Sequence, residues 1–315
     1  MGSSWRAACA LLICFLLAAC SASQFARKDD RLQVVTSTTI IGDVVQQVGG
    51  DGLDLTVLMP VGADPHTFEP RPRDIAAISD ADLIFLNGLG LEEALAPSLE
   101  ANATGRVVHV SDGIDVLDFN PAGSAGLNAG GADSDDEVHA HGDPHTWMDP
   151  NNVKVWVENI QSALAAADPD NSDTYRSNAD SYLAELTALD EWARAETSRV
   201  PPERRKLVTD HASLAYFARR YGFEQAGLIV ASLSADASPS AQDLAQLEDT
   251  LRNLHIPAVF VSTTVNPALA QQIAKDTGTQ VVALYTGSLG KPGSGADSYL
   301  NFMRYNVRAI VDALE

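Results

Sequence analysis

Three histidines occur in nearly the same short context along this chain of 315 residues. His66 and His145 each end an Asp-Pro-His triplet, and His211 ends the triplet Thr209-Asp210-His211. Neutral imidazole is the commonest metal-binding side chain, and it suits zinc well. Because the three residues lie far apart in the sequence, only a folded chain could bring their side chains together. The repeated context therefore predicts one metal site made from His66, His145 and His211.

The N-terminal segment predicts export and lipid attachment. Arg6 precedes an apolar stretch over residues 7–19 that is too short to span a bilayer and is typical of a secretory signal peptide. The sequence Leu17-Ala18-Ala19-Cys20 resembles a bacterial lipobox, in which the cysteine carries lipid. We therefore expect a signal peptide over residues 1–19 and a lipidated, flexible tether over residues 20–31, the alternative being a plain signal peptide with an incidental cysteine. The protein would then be extracytoplasmic, anchored to the cell membrane by its N-terminal lipid alone or periplasmic.

Cysteine placement and charge exclude several kinds of site. The three cysteines are Cys9, Cys14 and Cys20, so the mature chain has no disulfide and no thiolate for a metal. Metal binding must then rely on histidine and carboxylate side chains. The formal net charge of −21, without a basic patch, argues against nucleic acid and anionic lipid surfaces as partners.

Short apolar segments alternate with helical ones in both halves of the chain. They are rich in Val, Ile and Leu and do not alternate strictly, which favours strands buried in parallel sheets. The predicted strands are Leu32–Ser37, Leu53–Met59, Leu83–Asn87, Arg106–Val110, Lys206–Asp210, Gly227–Ala231, Ala258–Ser262 and Gln280–Tyr285. Helices predicted between them include Ile40–Val48, Ser213–Tyr221, Ser240–Leu254 and Pro267–Thr277. This order predicts an α/β fold of two lobes, each a mostly parallel sheet flanked by helices.

A long helix is predicted between the two halves. After a first helical segment, Asn151–Ala167, the stretch Ser172–Val200 repeats apolar residues at spacings of three and four without Gly or Pro. Its roughly 29 residues would form a rod of about 43 Å. We therefore expect an N-terminal lobe over residues 32–170, a connector helix over 171–200 and a C-terminal lobe over 201–315.

Residues 121–143 have a different composition, rich in Gly, Ala, Asp and Ser. Such a segment cannot form a core and predicts a mobile surface loop. It carries an acidic run followed by His139 and His141. Two interpretations stand: an accessory site that captures metal loosely and passes it inward, or a solvated loop with incidental histidines.

Several segments, taken in order, resemble one protein family. They are VGADPHTFEPRPRD (61–74), DPHTWMDPNNV (143–153), NSDTYRSNADSYLAELTALD (171–190), TDHASLAYFARRYG (209–222), SPSAQDLAQLED (238–249) and YTGSLGKPGSGADSYLNFMRYN (285–306). Together they are similar to the zinc/manganese-type (cluster A-I) solute-binding lipoproteins of bacterial metal ABC importers. The resemblance covers nearly the whole mature chain. It implies two α/β lobes joined by a single long connector helix, with the metal in the cleft between the lobes.

The resemblance also implies a ligand set. The metal ligands of the resembled family correspond to His66, His145 and His211. A fourth ligand in the family is often an aspartate, but Gly287 occupies that place here. The fourth ligand is then water or a donor that the sequence does not identify.

Three neighbouring aspartates have two possible functions. Asp64, Asp143 and Asp210 each precede a cluster histidine by one or two positions. Each could hold an imidazole in the correct tautomer, or could simply stabilise a turn.

The expected function is capture of Zn²⁺ and its delivery to an ABC permease and its ATPase, by a monomer that is not an enzyme. Three imidazoles without a thiolate favour zinc, whereas Mn²⁺ prefers more oxygen ligands. In the resembled family, a histidine at the position of His211 goes with zinc and a glutamate with manganese. The alternatives are a manganese or iron carrier of the same family and a metal-binding adhesin. A zinc hydrolase is disfavoured because the chain lacks a His-Glu-x-x-His element and a clearly placed general base.

Overall fold

The computed structural model contains two sheets whose strands are all parallel. It describes residues 31–118, 142–229, 241–264, 266 and 268–315. The predicted signal peptide, Cys20, His139 and His141 lie outside these residues.

The two sheets have equivalent strand orders. The first has the order β2-β1-β3-β4 and the second β6-β5-β7-β8. The strands are β1 (Leu32–Thr36), β2 (Leu53–Val57), β3 (Leu83–Leu86), β4 (Arg106–His109), β5 (Lys206–Thr209), β6 (Glu224–Leu228), β7 (Ala258–Ser262) and β8 (Gln280–Leu284). We refer to the part built on β1–β4 as the first lobe and to the part built on β5–β8 as the second lobe. In each sheet the connections that follow the first and the third strands run in opposite directions, and open α/β sheets bind ligands at the carboxyl ends of such a pair of strands.

Helices cover the sheets and connect their strands. They are α1 (Thr39–Gly49), α2 (Pro72–Asp80), α3 (Ala96–Asn102), α4 (Pro150–Ala167), α5 (Ser172–Thr197), α6 (Ala215–Tyr221), α7 (Ala241–Asn253), α8 (Ala268–Thr277) and α9 (Tyr299–Leu314). The predicted two-lobed α/β fold is confirmed. Within the described ranges, no helix has the length and apolar character needed to cross a membrane.

Helix α5 is the long helix between the lobes. Its 26 residues span about 39 Å, and its buried stripe packs against α1, α4 and α9. The largest core cluster extends from the first sheet through this helix to α9 and the second sheet. The helix ends at Thr197 rather than at the predicted Val200. The Val200 N–H donates to the Thr197 carbonyl at 3.2 Å, a tighter turn than an α-helix, because Pro201 disfavours helical backbone at the preceding residue.

One strand of the second lobe lies earlier in the sequence than predicted. We predicted Gly227–Ala231, but β6 is Glu224–Leu228. It lies at the sheet edge, where polar residues are tolerated, and the Gln225 amide donates to the Thr209 hydroxyl of β5 at 3.0 Å. The prediction relied on the apolar composition of residues 227–231 and therefore started the strand three residues too late.

Candidate metal centre

The three predicted histidines come together between the lobes. One possible ligand atom from each of His66, His145 and His211 lies within 4.8 Å of the others. The two Nε2 atoms of His66 and His145 are 3.2 Å apart. Two nitrogens bound to one tetrahedral zinc at 2.0–2.1 Å would be separated by about 3.3 Å. The geometry therefore fits two ligands of one ion, with the third imidazole facing them.

His66 follows β2 through a turn. Ala63 N–H donates to the Pro60 carbonyl at 3.0 Å, and Gly62 adopts a φ of 85° that favours glycine. Asp64 Oδ1 then accepts the His66 backbone N–H at 3.0 Å. This aspartate stabilises the turn that brings the imidazole beyond the carboxyl end of the strand.

His145 is buried at the start of a tight turn that leads into α4. A single oxygen, Asp143 Oδ1, accepts the His145 backbone N–H at 2.9 Å and contacts ring Nδ1 at 2.8 Å. Because a carboxylate accepts, Nδ1 is the protonated nitrogen and Nε2 presents its lone pair to the cluster. The Asn87 amide donates to the Pro144 carbonyl at 3.0 Å and secures the segment to the end of β3.

His211 follows β5 directly and uses a similar carboxylate contact. Asp210 Oδ1 accepts the His211 backbone N–H at 2.9 Å and contacts ring Nδ1 at 2.9 Å. Asp210 Oδ2 accepts the backbone N–H of Ser262, at the end of β7, at 2.8 Å. Asp143 and Asp210 therefore combine the two functions considered from the sequence, since each stabilises the local backbone and orients a ring.

The neutral state of the His66 imidazole favours metal binding. Burial, reinforced by the neighbouring imidazoles of His145 and His211, holds the pKa of His66 well below its ordinary value of 6.5. A neutral imidazole keeps the lone pair that a metal needs. The ring is consequently ready for coordination at neutral pH.

Pro65 occupies the space that a side chain at Gly287, the position of the expected fourth ligand, would need. A Cβ added at Gly287 would lie 2.9 Å from Cδ of Pro65, closer than carbon atoms normally approach. Pro65 precedes His66 and belongs to the first lobe, whereas Gly287 follows β8 of the second. Within the described residues, the cluster has no further His, Cys, Asp or Glu.

Several contacts around the site could not be identified from sequence. Ser262 holds Asp210 through its backbone, and the buried hydroxyl of Tyr216 donates to the Asp143 carbonyl at 2.8 Å. Neither residue type suggests a site in the linear sequence. For Tyr216, the only available signal is its position five residues after His211.

The chain forms two α/β lobes that share one long helix and enclose a cluster of imidazoles. This fold is that of the periplasmic metal-binding proteins, as solved structures of that class show. The periplasmic zinc binding protein TroA of Treponema pallidum superposes with a TM-score of 0.78 and 26% identity, over 90% of this chain and 99% of that one. The chain belongs to the family described as zinc-uptake complex component A, periplasmic (ZnuA), which it matches over residues 34–313.

Relatives with other metals in their names are similar over nearly their whole length. The manganese-binding lipoprotein MntA of Halalkalibacterium halodurans is 35% identical over 307 residues, which is 96% of each protein. The iron ABC transporter substrate-binding lipoprotein MtsA of Streptococcus pyogenes is 31% identical over 314 residues, covering 97% of this chain and 96% of the relative. The resemblance to solute-binding lipoproteins of metal ABC importers is confirmed, and the chain is a substrate-binding component, not an enzyme.

Proposed function

We propose that this protein captures Zn²⁺ outside the cytoplasm and delivers it to an ABC permease driven by its ATPase, with His66, His145 and His211 as the metal ligands. The observation that carries the proposal is the 3.2 Å separation of the His66 and His145 Nε2 atoms, with the third imidazole within ligand distance. Lipid attachment at Cys20 would keep the monomer at the membrane. The relatives' names support the lipoprotein and transporter parts of the proposal.

The donor set favours zinc over manganese. Three imidazoles provide nitrogen ligands, and Gly287 provides no carboxylate where the resembled family often has one. Zinc accepts such a set with one further donor, such as water, whereas Mn²⁺ prefers more oxygens. The alternative cargo is manganese or iron, which is supported by the names of MntA and MtsA.

Capture would bridge the lobes, and release would need only small movements. Two ligands come from the first lobe and one from the second. Hydrogen bonds join the lobes beside the site: Trp147 Nε1 donates to the Thr286 carbonyl at 2.7 Å, and Tyr299 hydroxyl donates to the Trp147 carbonyl at 2.8 Å. These bonds and the shared helix α5 favour local shifts over wide opening. Small-angle scattering should therefore give nearly equal radii of gyration with and without zinc, and a large contraction on binding would contradict this mechanism.

Titration of single variants tests the ligand assignment. Zinc and manganese affinities of the mature protein are measured by chelator competition for His66→Ala, His145→Ala and His211→Ala. The zinc affinity of each variant should fall by more than about 100-fold. That loss exceeds the roughly 10–100-fold loss expected when a residue that only supports a ligand is replaced. His109→Ala is the matched control, because His109 is exposed at the end of β4. Unchanged affinity in the three cluster variants would refute the site, and tighter binding of manganese than of zinc by the wild type would refute the choice of metal.

A further inference from the structure

Helix α6 of the second lobe packs against the segment of the first lobe that carries His145. The hydroxyl of Tyr216, a fully buried residue of this helix, lies between two main-chain groups of the first lobe. It donates to the Asp143 carbonyl at 2.8 Å and accepts the Leu117 N–H at 3.1 Å. The Asp143 N–H in turn donates to the Leu117 carbonyl at 2.8 Å. The hydroxyl therefore completes a small closed set of hydrogen bonds.

The hydroxyl of Tyr216 is bonded to the residue that orients His145. Asp143 accepts from both the backbone and the ring of His145 through Oδ1. The same helix begins four residues after His211, and the Ser213 N–H donates to the His211 carbonyl at 2.9 Å. One short helix thus links the segment of the second-lobe histidine to the loop of a first-lobe histidine.

Arg220 anchors the other end of α6. Its guanidinium donates to both carboxylate oxygens of Asp190 on α5, at 2.9 and 2.6 Å. It also lies 3.6 Å from Asp149, which caps α4 by accepting the Asn151 N–H at 2.8 Å. A bidentate arginine pair fixes direction as well as distance. Contacts at both ends therefore restrict movement of the helix along the first lobe.

We propose that Tyr216 is a positioning residue for metal binding: its hydroxyl couples the loop of His145 to the segment of His211 and so sets the spacing of the two imidazoles. The inference rests on the proposed function. A metal ion requires ligand distances correct to a few tenths of an ångström. His211 comes from a different lobe than His145, so contacts between the lobes must supply that accuracy.

Tyr216→Phe, which removes one hydroxyl, tests the proposal. The matched control is Tyr175→Phe on α5, a buried tyrosine whose hydroxyl donates to Asp168 at 2.7 Å, outside α6 and the segments of the cluster histidines. Zinc affinity is measured by chelator competition on the mature chain, and site geometry by the visible absorption of bound Co²⁺. We expect Tyr216→Phe to weaken zinc binding about tenfold, the lower end of the range for outer-shell partners, and to alter the cobalt spectrum. Tyr175→Phe should stay within about twofold of wild type, because its hydroxyl bonds neither α6 nor the loop of His145.

Wild-type zinc affinity and cobalt spectrum in Tyr216→Phe would overturn the proposal. So would equal losses in both variants, because these would indicate general packing. If Tyr216→Phe does not fold, Arg220→Lys keeps the charge but loses the bidentate pair; weakened zinc binding by this folded variant supports positioning by α6, and unchanged binding overturns it. Failure of the proposed function is distinguishable, because the wild type itself would then not bind zinc or would bind manganese more tightly.

Discussion

The two lobes place a carboxylate at the same point of their sheets, across the carboxyl ends of the first and third strands. In the first lobe, Glu92 accepts the Ser37 hydroxyl after β1 at 2.6 Å and the Asn87 N–H after β3 at 2.7 Å. In the second lobe, Asp210 follows β5 and accepts the Ser262 N–H at the end of β7 at 2.8 Å. Both carboxylates therefore join two strands whose crossovers leave in opposite directions.

The remaining partners of the two carboxylates differ. Glu92 accepts a further N–H, from Gly88 at 3.2 Å, and its hydrogen bonds with Ser37, Asn87 and Gly88 all stay within the first lobe. Asp210 Oδ1 instead contacts ring Nδ1 of His211 at 2.9 Å. The same topological position therefore holds a carboxylate that only joins strands in the first lobe and one that also contacts a cluster imidazole in the second. In the first lobe the histidines lie further along the chain, on loops after β2 and before α4.

Replacing Glu92 should have the largest effect on folding. Glu92→Ala leaves the Ser37 hydroxyl and the Asn87 and Gly88 N–H groups without their buried acceptor, which should lower the free energy of unfolding by about 3–5 kcal/mol. Zinc affinity of the folded variant should stay within a few-fold of wild type. Urea denaturation and chelator competition measure the two quantities. A loss of zinc affinity as large as that of an Asp210 variant would remove the distinction between the lobes.

The pH dependence of stability tests the burial of Glu92 separately. Burial is the largest influence on this carboxyl and raises its pKa above the ordinary 4.5 despite the hydrogen bonds from Ser37, Asn87 and Gly88. The protonated carboxyl therefore favours the folded state; this contribution to stability is complete below pH 4.5 and is lost as the pH rises through the folded pKa. Relative to Glu92→Gln, wild type should lose stability from pH 4.5 towards neutrality, measured by urea denaturation at each pH. A constant difference across that range would be the contrary result.

Much of the fold and the three histidines could be predicted because their signals are local. The strand Ala258–Ser262 is apolar up to its last residue, and the Asp-Pro-His triplets repeat over a few residues. The bonds that support the site are not local. The Ser37–Glu92 bond joins residues 55 positions apart, and the Tyr216–Asp143 bond joins residues 73 apart. Such contacts depend on sheet register and helix docking, which side-chain types alone do not determine.

Replacing Asp210 should act on metal binding rather than folding. Asp210→Asn keeps the shape and a possible bond to Ser262 but weakens the hold on the His211 ring, so zinc affinity should fall about 10–100-fold. Chelator competition measures the loss, with Glu92→Gln as the corresponding variant of the first lobe. Equal affinities of Asp210→Asn and wild type would show that the second-lobe carboxylate is as structural as Glu92.

The smallest expected change concerns whether the second lobe can supply a second ligand. Gly287→Ala adds a Cβ that would lie 2.9 Å from Pro65 Cδ, so the Pro65–His66 segment must move. Overpacking of this kind costs about 1 kcal/mol, and zinc affinity falls about fivefold where that cost applies to the metal-bound arrangement. Gly287→Asp introduces the same Cβ together with a carboxylate, and a hard oxygen ligand should raise manganese affinity relative to the alanine variant. Parallel zinc and manganese titrations separate the two effects. Equal manganese affinities in the two variants would mean that the position cannot direct an oxygen towards the cluster, and that the contact between Pro65 and Gly287 excludes a ligand there rather than merely replacing one.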